Sequence, residues 1–168
     1  MRFVAVLGLV LLAGATALGA EKGAAAGSGN ALLIDTKSKL AVEDLPGHEL
    51  VQAMGDDEIK TPDKIAGVSF DGAKAKIYRQ SDLVDGSGTV RGYATWEAKT
   101  GQKLFMVFGY AVPPFVVGRE FMPFEGTFEW IGGTGALKNV HGKGSLEGEI
   151  SKRGETHYRW AGSYQIGK

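Results

Sequence analysis

Residues Phe124–Gly148 read FEGTFEWIGGTGALKNVHGKGSLEG. Side chains of an extended strand point alternately to its two faces. Phe124, Phe128 and Trp130 therefore share one face, while Glu125, Thr127, Glu129 and Ile131 share the other. Gly132-Gly133-Thr134-Gly135 then turns the chain back, with glycine at backbone angles that other residues avoid. A strand with rings on one side and carboxylates on the other is half buried, so it must lie over a core.

The pattern returns toward the C-terminus. Tyr158, Trp160, Gly162, Tyr164 and Ile166 alternate with His157, Arg159, Ser163 and Gln165, and Leu146, Gly148 and Ile150 alternate with Glu147 and Glu149. Antiparallel pairing of these segments sets Glu147 and Glu149 across from Arg159 and His157 on the wet side, which helps to fix the register. Upstream, Lys74–Val84, Gly88–Ala98 and Gln102–Val112 are strand-length segments separated by Asp85-Gly86-Ser87 and Lys99-Thr100-Gly101, which is hairpin chemistry. Val112–Pro123 (VPPFVVGREFMP) breaks the rhythm. Its prolines and glycine exclude a central strand or a continuous helix, yet it is strongly apolar. A further strand, or a short helix, is expected near His48–Met54, interrupted by Gly55-Asp56-Asp57. Six strand segments from Lys74 onward, with one or two more from the N-terminal region, predict an all-β barrel. Glycines 126, 148 and 162 lie on the aromatic face and predict a partly open interior.

The N-terminus has the pattern of an export signal: Arg2, the apolar run Phe3–Leu12, then small residues with cleavage contexts at Ala15-Thr16-Ala17 or Ala17-Leu18-Gly19. Residues 1–20 are expected to be removed, giving a secreted or periplasmic protein with no stable membrane insertion. The alternative is an uncleaved anchor, against which the Gly, Ala and Thr content after Leu12 argues. Glu21–Asn30 (EKGAAAGSGN) shows no packing signal and reads as a flexible leader, extended here over residues 21–45, with the barrel domain at 46–168. The remaining chain of about 148 residues is one domain by size. It has no cysteine, which excludes disulfides, thiolate metal sites and a cysteine nucleophile. Charge is balanced at 19 basic and 19 acidic residues, so nucleic acid is not an expected partner. Glycine makes up 26 of 168 residues without a three-residue period, which fits tight turns and close strands rather than collagen.

Two stretches, GSGTVRGYATWEAKTGQKLFMVFGYAV (Gly86–Val112) and FEGTFEWIGGTGALKNVHGKGSLEG, together resemble the allene oxide cyclase barrel superfamily, which includes the dirigent proteins and many small exported bacterial proteins. The shared features are a strand, the Gly132–Gly135 turn, Leu137, and the Gly142 and Gly144 pair; the likeness spans roughly residues 75–166. The resemblance implies an eight-stranded antiparallel barrel with an apolar cavity, often in dimers or trimers. It does not carry an activity. The plant cyclases are similar in holding a carboxylate in a greasy barrel, and dirigent proteins in placing acidic and basic side chains in the cavity. Neither constellation is matched here, because the charged residues near the motif alternate onto the solvent face.

The local motifs are mostly structural. Gly132–Gly148 has neither the GxGxxG nor the GxxxxGK spacing of a phosphate loop and lies between strands. His48, His141 and His157 have no metal-ligand spacing, and no GxSxG elbow surrounds any serine, so neither a metal nor a cofactor is expected. Glu97 is the catalytic candidate. It shares a face with Arg91, Tyr93 and Thr95, which makes it a solvated carboxylate unless a bulge turns it inward. Trp96, Phe124, Phe128, Trp130, Tyr158, Trp160 and Tyr164 either pack as a plain core or line a site for a flat apolar ligand, oriented by indole N–H and phenol O–H groups. Phe115, Val116, Val117, Phe121 and Met122 are too apolar to face water, so their segment is expected to cover a barrel mouth or, preferably, a second subunit.

Three functions fit these observations. The first is a non-catalytic barrel that binds a small apolar or aromatic molecule, assembled as a homo-oligomer. The second is a cyclase or isomerase that steers a reactive ligand, which requires a buried carboxylate or histidine. The third is an envelope protein with a filled barrel.

Overall fold

The structure is a computed structural model that describes residues 21–167. The export signal expected at 1–20 lies outside them. In chain order the strands are β1 (Lys22–Ala41), β2 (His48–Lys60), the two-residue β3 (Lys64–Ile65) and β4 (Val68–Ser69), β5 (Ala73–Val84), β6 (Ser87–Glu97), β7 (Lys103–Val112), β8 (Phe121–Gly133), β9 (Val140–Ser151) and β10 (Thr156–Ile166). β3 pairs with β4, and the eight long strands close into an antiparallel barrel in the order β1-β10-β9-β8-β7-β6-β5-β2. The register expected for the last hairpin is present, with Glu147 opposite Arg159 and Glu149 opposite His157.

The N-terminal expectation is corrected. Residues 22–41 form β1, so the barrel domain begins there and not at residue 46. The segment Gly23-Ala24-Ala25-Ala26-Gly27-Ser28-Gly29 shows no hydrophobic alternation because its partner supplies the bulk. Gly23, Gly27 and Gly29 lie directly opposite Tyr164, Trp160 and Tyr158 of β10. A methyl group on Gly27 would stand 2.7 Å from the Trp160 ring, and one on Gly23 or Gly29 would strike the facing tyrosine ring. Small residues on β1 are therefore the space that the rings of β10 fill, a pairing that stabilises glycine positions in sheets.

β9 repeats the device. Gly144 and Gly162 of the neighbouring strands both back onto Phe128, and a Cβ at either would lie 2.5 or 2.7 Å from its ring. Gly148 and Gly126 are closed differently: a Cβ there would strike the His157 or Gly109 carbonyl and the Cα and Cβ of Tyr158 or Tyr110, not a ring. Rings or close-lying backbone thus occupy the space at the inner-face glycines, which do not open the interior.

The Val112–Pro123 segment divides. Residues 113–120 are outside the sheet, but Phe121–Pro123 begin β8. Pro123 is tolerated because β7 pairs with β8 only as far as Tyr110 opposite Gly126, leaving Pro123 bordered by β9 alone. β1 also outruns one neighbour. It pairs with β10 as far as Ala31, then bulges and continues to Ala41 with β2 alone. Lys37 and Lys39 sit on this free edge, where charge discourages strand addition.

The interior is not uniform along the axis. At the end where β1 begins, Trp96, Trp130 and Trp160 pack together, with Trp96 and Trp160 centroids 5.1 Å apart and Trp130 and Trp160 meeting edge to face at 5.9 Å. The excursion between β2 and β5 caps this end and inserts Phe70 5.9 Å from Trp96. Leu137, in the 3₁₀ turn Gly135–Leu137, is fully buried beside it. Each such aromatic pair adds roughly 0.5–1.5 kcal/mol beyond burial.

Substitution of Gly144 by Ala is expected to destabilise the barrel by about 1–3 kcal/mol, because the methyl meets both the Ala161 carbonyl and the Phe128 ring. Gly109→Ala has ordinary contact distances of 3.5 Å and more, and should stay within about 0.5 kcal/mol of the parent. Urea unfolding of the two variants checks the contrast.

Candidate functional site

β5 reads Ala-Lys-Ala-Lys-Ile from residue 73, and its lysines face solvent. The inward phase therefore carries Ala73, Ala75, Ile77, Arg79, Ser81 and Leu83. On β2 the same alternation puts Ile59, Asp57 and Ala53 inside, between exposed Asp56 and Glu58. Two ions break the outward pattern read near the shared motif: Asp57 and Arg79 enter the barrel. Both enter on the side away from the tryptophans, where the interior is not filled.

A cavity of about 40 Å³ remains there. Its walls are mostly apolar, from Ala31, Ile34, Ile77, Ala94, Met106, Phe108, Phe124 and Leu146, and four polar side chains reach it: Arg79, Tyr110, Thr156 and Tyr158. Ala31, Ile34 and Thr156 stand where β1 parts from β10, so the cavity lies at that fork. A roomier groove of about 400 Å³ runs over the outside of β2, β5 and β6, but it is open, with Leu50 and Val51 beside polar side chains such as Gln52, Gln80, Asp82 and Arg91.

Asp57 lies behind the cavity wall and is 6% exposed. One carboxylate oxygen accepts the backbone N–H of Asn30 at 2.6 Å, and the other accepts the Tyr158 hydroxyl. Burial pushes the carboxyl pKa above its ordinary value, against the lowering effect of the Tyr158 and backbone hydrogen bonds. Burial, then the adjacent Asp57, holds the Tyr158 phenol well above the usual tyrosine range. Tyr110 is also raised by burial, with Arg79 acting in the opposite sense. Arg79 Nη1 donates to the Tyr110 hydroxyl and to the Gly154 carbonyl, both at a long 3.4 Å, while its buried Nε has no partner. The arrangement offers a hydrocarbon-lined space with a cation, two phenols and a carboxyl on one side.

Of the aromatic residues singled out from the sequence, Phe124 and Tyr158 face the cavity. Trp96, Phe128, Trp130, Trp160 and Tyr164 pack against one another in the sealed half. The three indole N–H groups are buried there without hydrogen-bond partners, and the Tyr164 hydroxyl accepts the backbone N–H of Ala66 at 3.1 Å. Phenols, not indoles, are the ring-borne polar groups at the cavity. Glu97 is on the outside, 3.5 Å from Lys103 and 53% exposed, so the inward bulge that its catalytic role required is absent. Tyr93 beside it is also exposed. Phe115 packs on the core and Met122 is buried, Phe121 lies 5.4 Å from the His157 ring, and Val116 and Val117 are exposed.

Asp57, Arg79, Tyr110 and Thr156 are the residues that sequence reasoning passed over. The lysine–alanine alternation of β5 already assigns Arg79 to the inner face. Asp57 was hidden by its neighbours, because Gly55-Asp56-Asp57 has the composition of a turn.

Two solved structures share this architecture over most of their length. One is the pterocarpan synthase dirigent protein PsPTS1, with a TM-score of 0.54 and 12% identity, covering 88% of this chain and 97% of that one. The other is the pterocarpan synthase dirigent protein GePTS1, at 0.55 and 12%, covering 89% and 87%. The fold is that of a dirigent-type barrel. Identity at this level establishes the dirigent-type architecture alone. No family model matches the chain, and no curated protein matches it by sequence.

The buried carboxyl makes stability depend on pH in a definite sense. The unfolded chain ionises Asp57 first as pH rises, so the folded state loses stability from the ordinary carboxylate range, about pH 4, up to the raised value. Asp57→Asn keeps an acceptor for Asn30 and removes this loss. The variant should gain stability relative to the parent between about pH 4 and pH 7 in urea titrations.

Proposed function

We propose that this chain is a small-molecule-binding barrel that takes an apolar or aromatic ligand into the space beside Arg79, Tyr110 and Tyr158. The observation that carries the reading is the division of the interior into a sealed tryptophan half and an apolar cavity with converging polar groups. Apolar walls with a few placed polar groups are the usual make-up of a ligand site. At about 40 Å³ the space admits only part of a typical ligand, so binding requires side chains at the fork of β1 and β10 to move.

A second reading, a cyclase or isomerase, is favoured by one observation. Tyr158 faces the cavity with its hydroxyl held by the buried Asp57 carboxyl. In its neutral form, which the raised pKa favours, Asp57 would instead donate to the Tyr158 oxygen, freeing the phenol proton for a ligand oxygen while the carboxyl proton replaces it and leaves Asp57 ionised. The neighbours described as pterocarpan synthase dirigent proteins are consistent with such chemistry in a barrel of this shape.

The proposal extends to an exported homo-oligomer. The leader pattern of residues 1–20 supports export. Association is supported by β7, whose outward Phe105 and Val107 make the strand apolar on both faces, and by Tyr78, Tyr93 and Val107 standing in register across β5, β6 and β7.

Native mass spectrometry of protein taken from its source tests all three parts. The expected spectrum shows subunits lighter by the leader, in dimers or trimers, with one small molecule per barrel. Ala94→Leu, which fills the cavity, should abolish the bound mass while the protein stays folded. A ligand-free spectrum, or a bound mass that survives Ala94→Leu, overturns the interior site.

A further inference from the structure

Arg79 is a charged group whose hydrogen-bonding capacity is only partly used by the protein. Among the described residues no carboxylate lies within 4.0 Å of it, in contrast to Lys39, Lys76, Lys103 and Arg159, which all have acidic partners. Its Nε is buried without a partner, and its bonds through Nη1 are long. Asp57, the buried acid of this half, is engaged by Tyr158 and Asn30 instead. Arg79 is half-buried, and a guanidinium partly withdrawn from water with neither counter-ion nor full hydrogen bonding is costly to keep. The backbone also makes room for it. Gly154, in the turn between β9 and β10, lies against the guanidinium so closely that a methyl group there would strike Nη2, and its φ of +85° is a conformation that favours glycine.

We propose that the cavity takes a small amphipathic acid, whose carboxylate seats on the Arg79 guanidinium and whose apolar body lies against Ala94, Met106 and Leu146. The planar guanidinium fork matches two carboxylate oxygens side by side, which a single hydroxyl or phenol oxygen does not satisfy. One cation without a second basic side chain at the cavity suits a monoanion and not a phosphate. The raised pKa of Asp57 favours its neutral form, so it adds less repulsion toward an incoming anion than an ordinary buried carboxylate would. This assignment rests on the interior cavity being a ligand site and goes beyond it by naming the class of ligand.

Calorimetric titration with hexanoate and benzoate, set beside hexanamide and benzamide, tests the assignment. Each amide keeps the shape of its acid and removes the charge. The parent protein should bind the carboxylates at least about tenfold more tightly than the amides. Arg79→Gln should bring the two classes to equal affinity, and Ala94→Leu should weaken both. Equal affinities in the parent overturn the acid assignment while leaving the cavity as a ligand site, provided that Ala94→Leu abolishes both. A tenfold preference that survives Arg79→Gln, or carboxylate affinity that Ala94→Leu leaves unchanged, places the anion elsewhere and also overturns it. Failure of all four compounds to bind the parent overturns the assignment and the ligand site together. The parent comparison decides the matter even if Arg79→Gln does not fold.

Discussion

The barrel closes because rings on one strand lie over glycines on the next. β10 brings Tyr158, Trp160 and Tyr164 inward over Gly29, Gly27 and Gly23 of β1, and β8 brings Phe128 and Trp130 over Gly144 and Gly142 of β9. Bulky residues on all four strands would overfill a barrel of eight strands, whose interior is just wide enough for side chains. Glycine in a strand ordinarily weakens it through lost packing and extra backbone freedom. Here the facing ring restores the lost contact, so the weakness is offset where it arises.

The same economy of volume produces the asymmetry along the axis. Three tryptophans, Phe128 and Phe70 fill one half so completely that their polar N–H groups are sealed away. In the other half smaller residues such as Ala31 and Ala94 line the interior, and the space admits a guanidinium and a carboxyl behind a phenol. The two charges are not paired with one another. Asp57 is satisfied from β1 and β10, whereas Arg79 reaches toward the turn at Gly154. Packing in one half thus sets where chemistry can occur in the other.

Much of this was legible in the alternation of particular strands. Rings at 124, 128, 130, 158, 160 and 164 fixed the inner faces of β8 and β10, and the charged pairs at 147 with 159 and 149 with 157 followed from that phase. β1 was not legible, because a run of Gly, Ala and Ser reads the same whether it is loose or packed under rings from a strand more than a hundred residues away. Asp57 was obscured for a related reason: an acidic, glycine-led triplet is turn-like by composition, and only the pairing of β2 with β5 shows it to be strand. The position of Arg79 was implicit in the lysines that precede it. Its lack of a partner depends on which side chains converge from other strands, and no local pattern carries that information.

Both ends of the described chain leave the barrel on the same side. Lys22 pairs with Gln165, and the Glu21 carbonyl accepts the Ile166 N–H at 2.8 Å, beside the tryptophan plug. A group joined directly to Glu21 or Gly167 is therefore held at the plugged base, while the fork near Ala31 and Ile34 is presented to the opposite direction. Tethering this protein to a surface or a fusion partner by its ends would leave the way into the cavity unobstructed.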